Sequence, residues 1–158
     1  MTIPVVTLEK KKIATIVDGL SMYLADTMIL YVKTLNYHWN MVGSEFFMYH
    51  KLLEDQYNNL ADALDEVAER IRMLGAEAPA TLTEFLKLAS LKEGKAKQTQ
   101  DKMVKELFED HDRMSAMGRS LIGFCDNSND QGTSDMIVDR IKWHDKASWL
   151  LRSHFTRR

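Results

Sequence analysis

Between Ser44 and Leu74 apolar or aromatic side chains return every three or four positions, at Phe46, Phe47, Leu53, Tyr57, Leu60, Leu64, Val67, Ile71 and Leu74. That period predicts a long amphipathic helix. Ser44 stands where an N-cap is needed, Glu45 suits the positive helix start, and Gly75 supplies the stop. A similar stripe runs from Leu8 to about Tyr37 (Ile13, Ile16, Val17, Leu20, Leu24, Met28, Tyr31, Leu35), with Thr7 as its cap. A third runs from about Lys97 to Phe124, with Met103, Leu107, Met114, Met117, Leu121 and Phe124 inward. A fourth starts near Ser134 and carries Ile137, Ile141, His144, Trp149 and Leu151. Asn40 to Gly43 turns the chain between the first two. Between the second and third lie Pro79, a short apolar piece from Thr83 to Leu91 that predicts a small crossover helix, and Gly94. The run 126–132 reads DNSNDQG, a turn-rich loop. The pattern predicts an all-α fold, a four-helix bundle with a short crossover helix between the second and third long helices. No alternating strand pattern or long internal repeat competes with it.

Five side chains between positions 38 and 69 can hold a metal: His38, His50, Glu54, Asp65 and Glu69. On an ideal helix positions 50, 54, 65 and 69 fall within about 100° of one another, so four of the donors share a face. The pairs His50/Glu54 and Asp65/Glu69 are nevertheless separated by roughly 22 Å along the axis. Metal–ligand bonds of about 2.0–2.2 Å cannot bridge that gap within one helix. The spacing offers a solution, because 50 and 69 share one midpoint with 54 and 65, between Asn59 and Leu60. Two copies crossing antiparallel at that point would set His50 against Glu69, and Glu54 against Asp65, twice over. A two-fold contact is self-complementary, so the sequence predicts two identical metal sites shared between subunits. Bundles that hold two metals within one subunit use Glu-x-x-His on two helices, and this chain contains no Glu followed three positions later by His.

The constellation carries this reading, not its members. A single histidine at a helix end is ordinarily packed or solvated, and a carboxylate four residues from another polar group is ordinarily helix surface. On that basis His111 and His154 are expected at the surface, and His144, beside Trp143, as packing or a cap. The ten methionines fall at helical spacing and read as core filler.

Composition narrows the class further. At 158 residues the chain suits a single domain, 1–158, with short tails at 1–7 and 153–158. No apolar run of about 18 residues stands out, so no membrane span is expected. The N-terminus has its charges after a short apolar run, the reverse of a signal peptide. A lone cysteine, Cys125, excludes an internal disulfide and suits a reducing cytoplasm, with nucleoid association as a variant. A net charge of −2 argues against a body built to hold nucleic acid.

Several segments resemble the Dps proteins, or miniferritins (DNA protection during starvation), of the ferritin-like superfamily. They are YHWN at 37–40, Gly43, Phe47, His50, DEVAERIRMLG at 65–75, Pro79 and HDKASWLLR at 144–152, and the likeness spans nearly the whole chain. The resemblance implies a ferritin-like domain, a hollow shell of about twelve subunits and roughly 220 kDa, and ferroxidase centres at its two-fold interfaces. It assigns His38, His50 and Glu54 of one subunit, with Asp65 and Glu69 of its mate, as ligands of a di-iron centre that cycles between Fe(II) and Fe(III). It also places Trp39 beside that centre. One departure is visible: members often carry Asp where this chain has Glu54, and the added methylene shifts the carboxylate. Carboxylate and imidazole donors suit Fe(II). The implied activity is iron oxidation with hydrogen peroxide or oxygen, followed by storage of Fe(III) mineral that protects the cell and its DNA.

By the same resemblance Asp126, Asp130, Asp135 and Asp139 would line acidic pores that admit iron, although a turn and a helix start would use them equally well. DNA-binding relatives commonly use lysine-rich tails. Residues 1–7 hold no Lys or Arg, and the C-terminus offers Arg152, Arg157 and Arg158. Twelve copies would carry about −24, which repels phosphate. Weak or absent DNA binding at physiological salt is expected. A nucleoid-compacting binder and a metal-free helical assembly are the rival readings.

Overall fold

The structure is a computed structural model that describes residues 8–155. It contains α1 (Lys10–Asn40), α2 (Phe46–Met73), the short α3 (Leu82–Leu88), α4 (Gln100–Asp126) and α5 (Gln131–Arg152). Helix α1 packs on α2, and α4 on α5; α1 also packs on α4 and joins the two pairs, and α3 lies across α1. This is a ferritin-like four-helix bundle with a crossover helix, as the apolar period predicts.

The ends of the helices differ from expectation by up to three residues, and each shift has a local cause. The cap expected of Thr7 lies outside the described residues. Helix α2 begins at Phe46 with Glu45 as N-cap, and no side chain caps it, so Ser44 does not serve that role. Its C-terminus is closed by Gly75, whose φ of +88° only glycine adopts freely. The Gly75 amide donates to Arg72 O (2.9 Å) and the Ala76 amide to Ile71 O (3.3 Å), the paired bonds of a Schellman stop. Helix α3 starts on a complete capping box, Thr81 with Glu84. Thr99 caps α4. Asp130 caps α5 by accepting from Thr133 N (3.1 Å), which moves that helix start three residues ahead of Ser134.

Among the described residues, the one apolar stretch of about 18 residues lies in helix α1. That helix is long and apolar enough to cross a membrane by length and composition alone. It reaches that composition because several of its faces are covered: Ile16, Leu20, Tyr23, Leu24, Ala25, Ile29, Leu30 and Tyr37 are all core. Its buried polar residues are also partnered within the bundle. Asp26 accepts from Ser90 N (2.7 Å), Ser90 Oγ (2.7 Å) and Leu91 N (2.8 Å), which fixes the link after α3 onto α1. Lys33 donates to Asp110 Oδ2 at 2.5 Å, an ion pair whose side chains are buried at the floor of a cleft. Burial pushes the Asp110 carboxyl above its ordinary range despite that neighbour. The Tyr37 hydroxyl donates to Glu106.

Two inward assignments and one surface assignment fail. Phe124 and Trp149 are exposed, and His111 is fully buried instead of lying at the surface. Helix α4 turns His111 between Leu107 and Met114 toward His144 of α5, itself fully buried, with 2.8 Å between their Nδ1 atoms. Burial, reinforced by the Arg140 guanidinium, drives His111 down to about 3, and it drives His144 well below its usual value. Unfolded histidines take a proton below about pH 6.5. Between there and about pH 3 the unfolded chain therefore holds more protons than the folded one, and stability falls as pH falls. The expected loss is about 1.4 kcal/mol per pH unit for each histidine held neutral. Denaturant midpoints measured from pH 7 to pH 4 should fall with that slope, and His111→Leu should flatten it.

Candidate metal centre

The turn at residues 41–45 brings the end of α1 against the start of α2. Gly43, at φ +154°, allows the tight return, and a Cβ there would meet the Gln100 side chain. The result is a stacked pair of imidazoles, His38 on α1 and His50 on α2, with ring centroids 3.7 Å apart and planes 12° from parallel. His38 Nδ1 donates to His50 O, and His50 Nδ1 to His38 O, both at 2.9 Å. A carbonyl only accepts, so each Nδ1 carries a proton, and Nε2 is the nitrogen left to offer a lone pair from a neutral ring. Anchoring one ring nitrogen to a carbonyl so that the other can bind metal is how proteins orient metal-binding histidines. Tyr57 packs edge-on against His38 at 5.1 Å, and Phe46 lies 5.0 Å from His50, so apolar rings flank the pair.

Glu54 lies one turn beyond His50 on the same face. Its carboxylate accepts from Lys51 Nζ at 3.1 Å. That hydrogen bond and the Lys51 charge, with smaller help from His38 and His50, hold it below the usual carboxylate range. Asp65 and Glu69 are exposed near the far end of α2, on the face the sequence predicts, and among the described residues neither has a hydrogen-bond or ion-pair partner. Also among the described residues, no three His, Cys, Asp or Glu side chains come together as a metal-binding group. One chain thus pairs His38 with His50, leaves Glu54 one turn on and bonded to Lys51, and leaves Asp65 and Glu69 apart from them. Trp39 is exposed next to His38.

Apolar side chains surround both ends of this helix. Trp39, Val42, Phe46, Phe47 and Met48 are exposed around the histidine pair, and Met73, Leu82 and Leu86 beyond Glu69. An open groove of about 370 Å³ borders Asp65, walled by Leu24, Met28, Leu64, Ala68 and Phe85. Exposed apolar surface on this scale marks a contact face.

Of the four aspartates considered for iron passage, Asp130 is buried and fully engaged. It pairs with Arg70 Nη2 (2.7 Å) and accepts from Thr133 N and Thr133 Oγ1. Its carboxylate ties α2 to the start of α5. Asp126, Asp135 and Asp139 are exposed, Asp126 accepting from Ser134 Oγ and Asp139 from Lys142.

The bundle with its crossover helix defines the class, a ferritin-like protein, and the model of the ferritin-like domain matches residues 17–158. Within that class the chain belongs to the Dps family. It is 31% identical to DNA protection during starvation protein 2 of Bacillus anthracis, over 87% of this chain and 94% of that one. The crystal structure of antigen TpF1 from Treponema pallidum superposes with a TM-score of 0.91 at 31% identity, covering 98% and 97% of the two chains. The DPS protein of Vibrio cholerae O1, described as a member of a broad superfamily of ferritin-like diiron-carboxylate proteins, gives 0.90 at 27% identity over 97% and 98%. Family membership supports iron storage and protection against oxidative stress as the general role.

Proposed function

We propose that the protein is a ferroxidase that oxidises Fe(II) at di-iron centres shared by two subunits, with hydrogen peroxide as oxidant, and stores the Fe(III) in a hollow dodecameric shell in the cytoplasm. The observation that carries this reading is the reciprocally anchored pair of His38 on α1 and His50 on α2, the helix that also bears Asp65 and Glu69. Each centre takes His38, His50 and Glu54 from one chain, and Asp65 and Glu69 from a second copy crossing it antiparallel near Asn59 and Leu60. The apolar turn around the histidine pair then covers apolar surface at the opposite end of the partner's helix, and the two polar half-sites close together.

In this centre iron is substrate. The neutral rings offer their Nε2 lone pairs without reorganisation, because each Nδ1–H is already held by a carbonyl. Glu54 is ionised and held by Lys51, so iron binding exchanges an ammonium partner for a metal. Two Fe(II) ions held side by side give up two electrons to one peroxide, which takes two protons and leaves as two waters. No hydroxyl radical is released. Asp126, Asp135 and Asp139 provide a cation route into the shell.

Anaerobic titration with Fe(II) followed by added peroxide tests the activity. Fe(III) absorbance should rise at once, with one peroxide consumed for every two irons. Slow oxidation at the rate of free Fe(II) would overturn the proposal. Residues 1–7 hold no Lys or Arg, and the net charge is negative. A mobility-shift assay at about 0.15 M salt should accordingly show little DNA retardation; tight retention there would favour a DNA-binding role.

A further inference from the structure

A second polar cluster lies in the middle of the bundle, apart from the iron ligands and unused by the chemistry above. Arg140 of α5 is 6% exposed, yet among the described residues no carboxylate lies within ion-pairing distance of it. Its Nη1 donates to Asn59 Oδ1 at 2.8 Å, and its guanidinium carbon sits 4.6 Å from the centre of the Trp143 ring. Its Nε and Nη2 are buried without partners. So are the Tyr23 hydroxyl and the Nε2 atoms of His111 and His144, all three residues being fully buried. Tyr23 lies edge-on to His144 with 6.3 Å between rings, and Trp143 packs against both histidines at 4.9 and 5.4 Å. Helices α1, α4 and α5 thus supply these groups to one layer of the bundle.

The layer holds more donors than acceptors. One histidine Nδ1–H donates to the other ring's Nδ1. The accepting ring, being neutral, then carries its proton on Nε2, where nothing receives it. Arg140 Nε, Arg140 Nη2 and the Tyr23 hydroxyl are further donors, with the Tyr23 oxygen facing Arg140 as the acceptor among them. Against these four donors stand one histidine Nε2 lone pair and the phenolic oxygen. The shortage is of acceptors and of negative charge. Burying an unpaired guanidinium is costly, and charges taken from water are ordinarily matched by a counter-ion. A water molecule would add two donors of its own and leave the charge unmatched. A metal cation would meet the Arg140 charge, and the histidine Nδ1 atoms are already used on each other. Asp62 and Glu66 act on Arg140 only from a distance and are solvent-exposed.

We infer that Arg140, Tyr23 and the His111/His144 pair form a buried site for one small monovalent anion, a halide or an ion of similar size. One negative charge neutralises the guanidinium; two would leave a net charge in the core. The ion ties α1 to α5 and α4 inside each subunit and is independent of iron.

Crystals of the assembled protein grown in sodium bromide, with diffraction recorded at the bromine edge, test this directly. An anomalous peak within hydrogen-bond reach of Arg140 Nε and Nη2 and of the Tyr23 hydroxyl is expected, and it should vanish in Arg140→Gln. In solution the wild-type denaturation midpoint should be higher in bromide than in gluconate at equal ionic strength, with the difference lost in Arg140→Gln. Bromide only at the surface, a water at the site in every salt, or equal midpoints for the wild type in both salts would overturn the inference. The wild-type crystal decides the matter even if the variant folds poorly.

Discussion

Replacing His50 by alanine, or Glu69 by alanine, is expected to abolish fast Fe(II) oxidation while leaving the bundle folded. Neither side chain supports the core: His50 is only partly buried, Glu69 is exposed, and both lie on a helix held by Leu53, Leu60, Val67 and Ile71. Loss of an outer group that merely orients a metal ligand costs about 10–100-fold, so loss of a ligand itself should cost at least that. His50→Ala has a further effect, because it deletes the His50 Nδ1 bond to His38 O and the stacking partner of the His38 ring. It should therefore weaken Fe(II) binding as well as its oxidation. Glu69→Ala should leave the histidine pair intact and spare that half-site. Stopped-flow absorbance after peroxide addition reads the first effect, and anaerobic Fe(II) binding isotherms separate the second.

The largest effect on stability is expected at the Lys33–Asp110 pair. Both side chains are 4% exposed and 2.5 Å apart, so removing Asp110 leaves the Lys33 ammonium in the core without its hydrogen-bonded partner, with Glu106 acting on it at longer range. Asp110→Ala should cost about 3–5 kcal/mol, the usual penalty for breaking a buried pair from one side. Desolvation already outweighs the pair's attraction in setting the Asp110 carboxyl. Replacing both partners together with apolar residues should accordingly restore most of the loss. Denaturant midpoints at one chain concentration test this, and an Asp110→Ala variant as stable as wild type would show that water reaches Lys33. Arg113, at 3.4 Å from Asp110 and itself exposed, can stay solvated in either variant.

Helix periodicity made the architecture legible, because each long helix buries one stripe and the three- and four-residue steps name it. The candidate donors on α2 are proposed for the same reason, since the helical period puts His50, Glu54, Asp65 and Glu69 on one face at a symmetric spacing. His111 shows where periodicity and residue type conflict. It lies four residues after Leu107 and three before Met114, in step with the buried stripe, but its polarity suggested surface. Its partner, 33 positions away on another helix, is set by tertiary packing and leaves no local trace. Asp130 was obscured by its setting, because DNSNDQG reads as a loop throughout. Only the structure shows the carboxylate capping Thr133 N and bonded to Arg70 of α2. Trp149 and Phe124 are apolar by type yet exposed, since Ser148, Leu151, Leu121 and Cys125 take the inward positions beside them. The orientation of the histidine pair, with each Nδ1–H on a carbonyl, could not be read from the sequence at all. It follows from two carbonyl oxygens that the 41–45 turn brings into reach.

Whether each centre draws its ligands from two chains is tested most directly by mixed dimers. When a His50→Ala chain faces a Glu69→Ala chain, both lesions fall in one of the two centres, because position 50 of one chain meets position 69 of the other. The second centre keeps a full set of ligands. Controlled mixed dimers should then regain up to half of wild-type iron oxidation per dimer, although neither parent is active. Mixed dimers as inactive as both parents would contradict the shared centre.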